Sequence, residues 1–268
     1  MVDHSIDRDG PRLSGALGAA SLVLLRHAQS LWNFENRFTG WADVGLTDAG
    51  RVEARRAGAL LSTHGYRFDR AFVSPLQRAG QTLEIVLREI GQQDVPVERS
   101  WRLNERHYGS LEGLDKAAFA AEQGAERLQR LRRGYHDRPP PLDPGDPRHP
   151  RRQAIYRDMD PALLPATESL ADTLTRLLPH WNETIAPAIA RGERVLVVSH
   201  GNTLRALVMQ LEGMTEREVE GFEIPTGRPL IFEFAPDGQA QGRYYLDEFT
   251  RPYGGKGQDR DIEPVQSL

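Results

Sequence analysis

The chain contains no cysteine among its 268 residues. This absence excludes disulfide bonds, thiol nucleophiles and thiolate metal ligands, and it fits a reducing compartment, so we expect a cytoplasmic protein. Long apolar runs are also missing. The longest near the amino end, Gly15–Leu25, is about half the length of a ~20-residue membrane span. Aspartates precede it where a signal peptide would be basic, so a buried strand is the better interpretation.

The chain also lacks a large excess of either positive or negative charge. The chain has 34 basic and 38 acidic residues, a net charge of −4. This balance argues against a protein that binds nucleic acid or membrane surfaces, since such proteins are usually basic. Lysine is rare: Lys116 and Lys256 are its two occurrences. Lys116 lies in the body of the chain and is therefore kept as a candidate ligand for an anion.

Short apolar runs alternate with amphipathic stretches. The predicted strands are Ser21–Leu25, Phe68–Val73, Val95–Val97 and Arg194–Val198, followed by a hairpin of Leu230–Phe234 and Arg243–Leu246. Predicted helices begin at Leu46-Thr47-Asp48, Ser74-Pro75, Lys116, Thr167 or Ser169, and after His200. The pattern predicts an α/β fold with a doubly wound, mostly parallel sheet, helices on both faces and a C-terminal hairpin.

The distribution of these elements along the chain also predicts the domain organisation. We expect a flexible extension at residues 1–18, one catalytic domain at residues 19–250 and a flexible tail at residues 251–268. Residues 134–166 contain eight of the chain's 18 prolines, which favours an irregular lid or loop over a regular element.

Ligands of doubly wound sheets bind beyond the carboxyl ends of the strands. Here those ends carry Arg26 with His27, Arg78, the run Glu105-Arg106-His107, and His200. A complete glycine-rich phosphate loop is missing, and the histidines lack the spacing of a zinc site, so we expect no metal. Histidines among arginines suit phosphoryl transfer, because a neutral imidazole attacks phosphorus and guanidinium groups bind its oxygens.

Several motifs point to a known family: LVLLRHAQSLWNFENRFTGW, SPLQRAGQT, LNERHYGSLEGLDK, ATESLADTLTRLLPHWNETIAPAI, VLVVSHGNTLRALV and PTGRPLIFEF. From Leu22 to Leu246 the chain resembles the 2,3-bisphosphoglycerate-dependent phosphoglycerate mutases of the histidine phosphatase superfamily. NRFTGW, ERHYG and TESLADT are the most specific of these motifs, because they mark the mutase branch.

The resemblance implies an isomerase of glycolysis and gluconeogenesis that interconverts 3-phosphoglycerate and 2-phosphoglycerate. It implies 2,3-bisphosphoglycerate as primer, phosphoglycerates as its small-molecule partners, and a homodimer or homotetramer. The implied catalytic residues are His27 as the phosphorylated nucleophile, Glu105 as proton donor and acceptor, and His200, Arg26 and Arg78 around the phosphoryl group. The implied substrate-binding residues are Asn33, Thr39, Gly40, Arg106, His107, Tyr108, Lys116, Arg132, Arg133, Gly201 and Asn202.

One departure from the family concerns Ala28, where glycine is usual. If this position needs a positive φ, alanine costs about 1 kcal/mol of strain; otherwise the change is harmless. Two other functions stay open at this point. The first is a phosphomonoesterase that uses the same histidine with water as acceptor, and the second is a phosphometabolite-binding protein without turnover.

Overall fold

A computed structural model describes residues 21–234 and 240–247. The predicted extension at 1–18, the tail at 251–268 and the turn of the hairpin lie outside the described residues. Six strands form one sheet in the order β3-β2-β4-β1-β5-β6. The first four are parallel, whereas β5 is antiparallel to β1 and to β6, so the predicted mostly parallel sheet with a final hairpin is confirmed. The strands are β1 Ser21–Arg26, β2 Arg70–Val73, β3 Val97–Arg99, β4 Arg194–Ser199, β5 Leu230–Phe234 and β6 Ala240–Tyr245.

Helices connect the parallel strands and cover both faces of the sheet. They are α1 Leu31–Phe34, α2 Asp48–Thr63, α3 Gln77–Glu89, α4 Lys116–Gln123, α5 Ala125–Arg133, α6 Leu170–His180, α7 Ala186–Ala190, α8 Gly201–Glu212 and α9 Glu216–Gly221. Thr47 caps α2 by accepting from the Gly50 amide, and Ser169 caps α6 in a reciprocal capping box with Asp172. None of the helices in the described ranges is both long and apolar enough to cross a bilayer.

The central strands are buried on both sides, which explains their uninterrupted apolar sequence. Successive side chains of β1 point to opposite faces: Leu22 and Leu24 join the core beneath α6 and α8, whereas Val23 and Leu25 join the core beneath α2 and α3. All four side chains are fully buried. This packing fixes the carboxyl end of β1, where the candidate nucleophile follows.

Several predicted boundaries were wrong by a few residues. Helix α3 begins at Gln77 rather than at Ser74-Pro75, because the Ser74 hydroxyl accepts from the Leu76 amide and holds the preceding turn in a non-helical conformation. Gly124, with φ of 91°, divides the helix predicted to begin at Lys116 into α4 and α5. The third strand lies at Val97–Arg99 rather than at Val95–Val97.

The helix predicted to begin at Thr167 or Ser169 is capped by Ser169 and begins at Leu170, but it is not a regular α-helix throughout. A π-helical turn, Trp181–Ile185, separates α6 from α7. This wider turn lies between Pro179 and Pro187, neither of which can donate a backbone hydrogen bond.

The proline-rich segment, residues 134–166, forms a loop with three short 3-10 turns. Its side chains Tyr156 and Leu164 are buried against Trp41, and the Tyr156 hydroxyl accepts from Asn104 Nδ2 at 2.7 Å. The loop is thus anchored beside the strand ends that carry the candidate site residues.

Candidate active site

His27 directly follows β1, and its backbone amide donates to the Ser199 carbonyl of β4 at 2.9 Å. Its ring Nδ1 lies 2.8 Å from the Ala28 carbonyl oxygen. Because a carbonyl only accepts, Nδ1 carries the proton and the lone pair is on Nε2. The ring is 3% exposed, so the fold fixes both its tautomer and its direction.

Ala28 adopts its conformation without strain. Asn36 is the one non-glycine residue with positive φ in the described part of the chain, so alanine after the nucleophile is harmless. Its methyl group packs against Leu46 and Ala54 in a small buried cluster.

Two cationic or polar groups surround the His27 ring. Arg78 Nε donates to His27 Nε2 at 3.3 Å, while its two terminal nitrogens donate to the carbonyls of Gly40 and Ala42 at 2.7 and 2.8 Å. The His200 ring lies against His27 with a centroid separation of 5.0 Å. These contacts place Arg78 and His200 beside any group attached to His27 Nε2.

Several buried polar nitrogen atoms at this point have no hydrogen-bond partner in the described structure. They include Arg26 Nε and both ring nitrogens of His200. Buried polar atoms are normally satisfied, so unpaired donors around one imidazole nitrogen are typical of a site that receives an anion.

Burial keeps both histidines neutral. Desolvation first, and then the charge of Arg78, lowers the pKa of His27 and of His200 well below the ordinary value of 6.5. A neutral His27 is the nucleophilic form at physiological pH. The same burial lowers the pKa of Arg78 to about 10, so its guanidinium remains charged there.

These lowered pKa values predict how stability depends on pH. Below pH 6.5 the unfolded chain binds protons that the folded chain excludes, so the free energy of unfolding should fall as the pH decreases from 6.5 to 5. His200→Gln removes one such group and should make this fall shallower by up to about 1.4 kcal/mol per pH unit. Urea unfolding at several pH values measures the free energy of unfolding of both proteins. If its dependence on pH were the same in His200→Gln and in the wild type, a neutral His200 would be contradicted.

Glu105 follows β3 and a short 3-10 turn. One of its carboxylate oxygens accepts from the backbone amides of Arg106 at 2.9 Å and Asn202 at 3.1 Å. Its own carbonyl accepts from Trp41 Nε1 at 2.6 Å, and the side chain is nearly buried at the cavity. The carboxylate is therefore held at the start of α8 and faces the cavity, where it can accept a proton from a bound hydroxyl.

A cavity of about 240 Å³ opens above these groups. Eleven of the predicted site residues line it: Arg26, Asn33, Thr39, Gly40, Glu105, Tyr108, Lys116, Arg132, Arg133, Gly201 and Asn202. His27, Arg78 and His200 do not line it, but each adjoins or bonds a lining residue and together they form a buried cluster.

Gly40 is required by the shape of this wall. Its φ is +54°, and a Cβ atom there would lie 1.9 Å from a carboxylate oxygen of Glu112. Glu112 also accepts from the Trp41 amide at 2.7 Å, and burial raises its pKa to about 8. The carboxyl group thus holds the loop whose Gly40 carbonyl binds Arg78.

Two of the predicted substrate-binding residues, Arg106 and His107, do not line the cavity. Arg106 is fully buried behind Tyr108, to whose hydroxyl it donates at 3.0 Å. His107 packs on Trp41 with a ring separation of 5.6 Å, and its Nδ1 accepts from the Gly109 amide at 2.9 Å. Their side chains lie behind the residues that line the cavity and pack against them, so they do not face a ligand directly.

Sequence reasoning missed four lining residues: Arg37, Arg205, Glu223 and Ile224. Arg37 lies inside the NRFTGW motif, and Arg205 lies one helical turn after Asn202, so both were within reach of the motif analysis. Glu223 forms an ion pair with Arg133, which no local pattern indicates. Six cationic side chains and two carboxylates therefore line the cavity, a surplus that suits a polyanion.

In residues 21–234 and 240–247, no three histidine or acidic side chains gather as metal ligands. The positive charge of the site is supplied by guanidinium and ammonium groups.

Comparison with known proteins gives consistent matches over most of the chain. The model of the histidine phosphatase superfamily (branch 1) matches residues 22–246. A 2,3-bisphosphoglycerate-dependent phosphoglycerate mutase from Nitrosococcus oceani is 51% identical over 225 residues, which are 84% of this chain and 94% of that protein. The enzyme of the same name from Hamiltonella defensa is 48% identical over 225 residues, again 84% of this chain and 90% of that protein.

Solved structures share the fold at much lower identity. A mycobacterial glucosyl-3-phosphoglycerate phosphatase superposes with a TM-score of 0.63 at 22% identity, covering 85% of this chain and 97% of the other. The alpha-ribazole phosphatase from Shigella flexneri also gives 0.63, at 20% identity, covering 85% and 96% of the two chains. At these identities the likeness concerns the fold alone.

Proposed function

The chain belongs to the histidine phosphatase superfamily, and from that premise we propose that it interconverts 3-phosphoglycerate and 2-phosphoglycerate, in glycolysis and gluconeogenesis. The observation that carries the proposal is the neutral His27, whose Nε2 is bonded by Arg78 beside unpaired buried donors. The relatives named as phosphoglycerate mutases support the same reaction.

The extent of the cationic surface favours a mutase over a simple phosphatase. His27, Arg78 and His200 serve one phosphoryl group, whereas Lys116, Arg132 and Arg133 line the same cavity separately from that cluster. A substrate with a second anionic group uses both sets, and a general phosphomonoesterase needs the first set alone.

The cavity also fits the proposed primer. A bisphosphate carries two multiply charged groups, and apart from Arg205 the cavity offers five cationic side chains, among them Arg26 with its unpaired Nε. When bound, 2,3-bisphosphoglycerate supplies the phosphoryl group that loads the enzyme. We propose that no metal takes part, because the arginines and His200 stabilise the charge spread over the transferred oxygens.

In the proposed cycle, His27 Nε2 carries the phosphoryl group and donates it to the free hydroxyl of bound phosphoglycerate. The P–N bond breaks as the new P–O bond forms, the electron pair returns to Nε2, and Glu105 takes the hydroxyl proton. After the ligand reorients, His27 Nε2 attacks the other phosphate and Glu105 returns the proton to the leaving oxygen.

The cycle requires that water be excluded, because a phosphohistidine hydrolyses when it is wet. We propose that residues 19–250 form one catalytic domain in which the 134–166 loop and the loop around Thr39 cover the site. The packing of Tyr156 on Trp41, next to Gly40, supports this arrangement.

A coupled assay tests the proposed reaction. The enzyme, primed with 2,3-bisphosphoglycerate and given 3-phosphoglycerate, should form 2-phosphoglycerate with little release of inorganic phosphate. Persistent phosphate release without 2-phosphoglycerate would instead assign a phosphomonoesterase.

Lys116→Ala should raise KM by about tenfold and change kcat much less, because uniform binding of an anionic group lowers the ground state and the transition state together. In the structure the Lys116 ammonium donates to the Arg37 carbonyl at 2.6 Å, at the cavity wall. Steady-state kinetics with 3-phosphoglycerate measure both constants. A loss confined to kcat would reject this binding role.

We also propose that the protein acts in the cytoplasm as a homodimer or homotetramer, as the family resemblance implies. Light scattering coupled to size-exclusion chromatography should give about twice or four times the 30.1 kDa chain mass. A mass equal to one chain at working concentration would contradict the oligomer.

A further inference from the structure

Arg205 is a buried cation that the proposed cycle does not use. It lies on α8, is 2% exposed and reaches the cavity wall. Its Nη1 donates to Asn202 Oδ1 at 2.9 Å, and its Nη2 donates to the Val219 carbonyl and to the Arg133 carbonyl. Burial, followed by repulsion from Arg133, lowers the pKa of Arg205 to about 10, so the group remains a charged donor at neutral pH.

The bond from Arg205 decides which way the Asn202 amide points. A guanidinium group donates and never accepts, so the amide atom that faces it must be the oxygen. The amide nitrogen then points the other way and donates to the Tyr108 hydroxyl oxygen at 3.2 Å. Without Arg205, nothing in this chain of bonds would prevent the amide from turning over.

The Tyr108 hydroxyl receives a second hydrogen bond, from Arg106 Nη2 at 3.0 Å. A phenol oxygen has acceptor capacity for about two bonds and one hydrogen to donate. Since Arg106 and Asn202 fill the acceptor positions, the hydroxyl hydrogen has to point elsewhere. Tyr108 lines the cavity, so that hydrogen is available to a bound anion.

We propose that Arg205 is a positioning residue, which orients the Asn202 amide so that the Tyr108 hydroxyl donates its hydrogen to an anionic oxygen of the substrate. The inference rests on the proposed function for the identity of that substrate. If the amide turned over, Asn202 Oδ1 would take the Tyr108 hydrogen, and the substrate would lose a donor.

Direct binding of 3-phosphoglycerate, measured by titration calorimetry, tests the proposal without relying on turnover. Arg205→Met removes the donor and should raise Kd by about tenfold, the effect of losing a hydrogen bond to a charged group. In a Tyr108→Phe background the same substitution should raise Kd by less than about twofold, because the donor it serves is already gone. An equal effect in both backgrounds, or none in either, would overturn the proposal.

A second variant separates positioning from structural support. Arg205→Lys keeps a donor for Asn202 Oδ1 but loses the forked contacts with the Val219 and Arg133 carbonyls. The proposal expects a Kd within about threefold of the wild type, even if Arg205→Met does not fold, whereas a merely structural role predicts a loss in both variants. Arg217→Met is the matched control, because Arg217 is an exposed arginine on the neighbouring helix α9.

The outcome is distinguishable from a failure of the proposed function. A wild-type enzyme that binds 3-phosphoglycerate but forms no phosphohistidine would contradict the mutase reaction. The coupling between Arg205 and Tyr108 in the Kd measurements could still be observed in that case. A phosphorylated His27 with no coupling between Arg205 and Tyr108 would defeat this inference alone.

Discussion

Replacing His27 by glutamine is expected to lower kcat of the mutase reaction by at least about 10⁴-fold, because the covalent route is lost with its nucleophile. Glutamine is of similar size and polarity and can fill the buried position beside Ala28 and Arg78, so the variant should fold. Steady-state kinetics with saturating primer measure the loss.

His136→Gln is the matched control for this experiment. His136 is 72% exposed and pairs with Glu216 on the surface, away from the cavity lining. It should retain the wild-type rate. A His27→Gln enzyme with more than about one tenth of that rate would mean that another group carries the phosphoryl.

Glu105→Gln is expected to give the second largest effect, a fall in kcat of about 10²- to 10⁴-fold with KM changed by less than about threefold. The amide is isosteric and can still accept from the Asn202 and Arg106 backbone amides, but it cannot take a proton. Rapid-quench measurement of phosphoryl transfer from the loaded enzyme to 3-phosphoglycerate isolates the affected step.

The control for Glu105 is Glu126→Gln, since Glu126 is 87% exposed on α5. If Glu105→Gln transferred the phosphoryl group at the wild-type rate, the proton acceptor would have to be sought elsewhere. A rise in KM without a fall in kcat would likewise reassign Glu105 to substrate binding.

Much of the fold could be predicted because it depends on short-range patterns. The apolar run 21–25 is a central strand, Thr47 and Ser169 cap helices, and the parallel pairing of the first four strands follows from alternating strands and helices. The start of α3 could not be placed correctly, because the Ser74 side chain competes for the backbone amide of the preceding turn. The π-helical turn is equally local in cause, but two prolines indicate a disturbance without specifying its form.

The site, like the fold, has one part that could be predicted from the sequence and another that could not. Motifs located His27, Arg78, Glu105 and His200, since each follows a strand or opens a helix. Motifs could not predict the direction of side chains. Arg106 points away from the cavity and donates to the Tyr108 hydroxyl, whereas Arg205, one helical turn after Asn202 on α8, lines the cavity. Glu223 meets Arg133 through a contact between α5 and the segment after α9, a long-range pairing with no sequence pattern.

The central claim is that His27 carries the phosphoryl group covalently. Intact-mass analysis after incubation with 2,3-bisphosphoglycerate, followed by peptide mapping under non-acidic conditions, measures it directly. We expect one added phosphoryl group, labile in acid, located on His27 and absent from His27→Gln. An unmodified His27, or a phosphoryl group on another side chain, would contradict it.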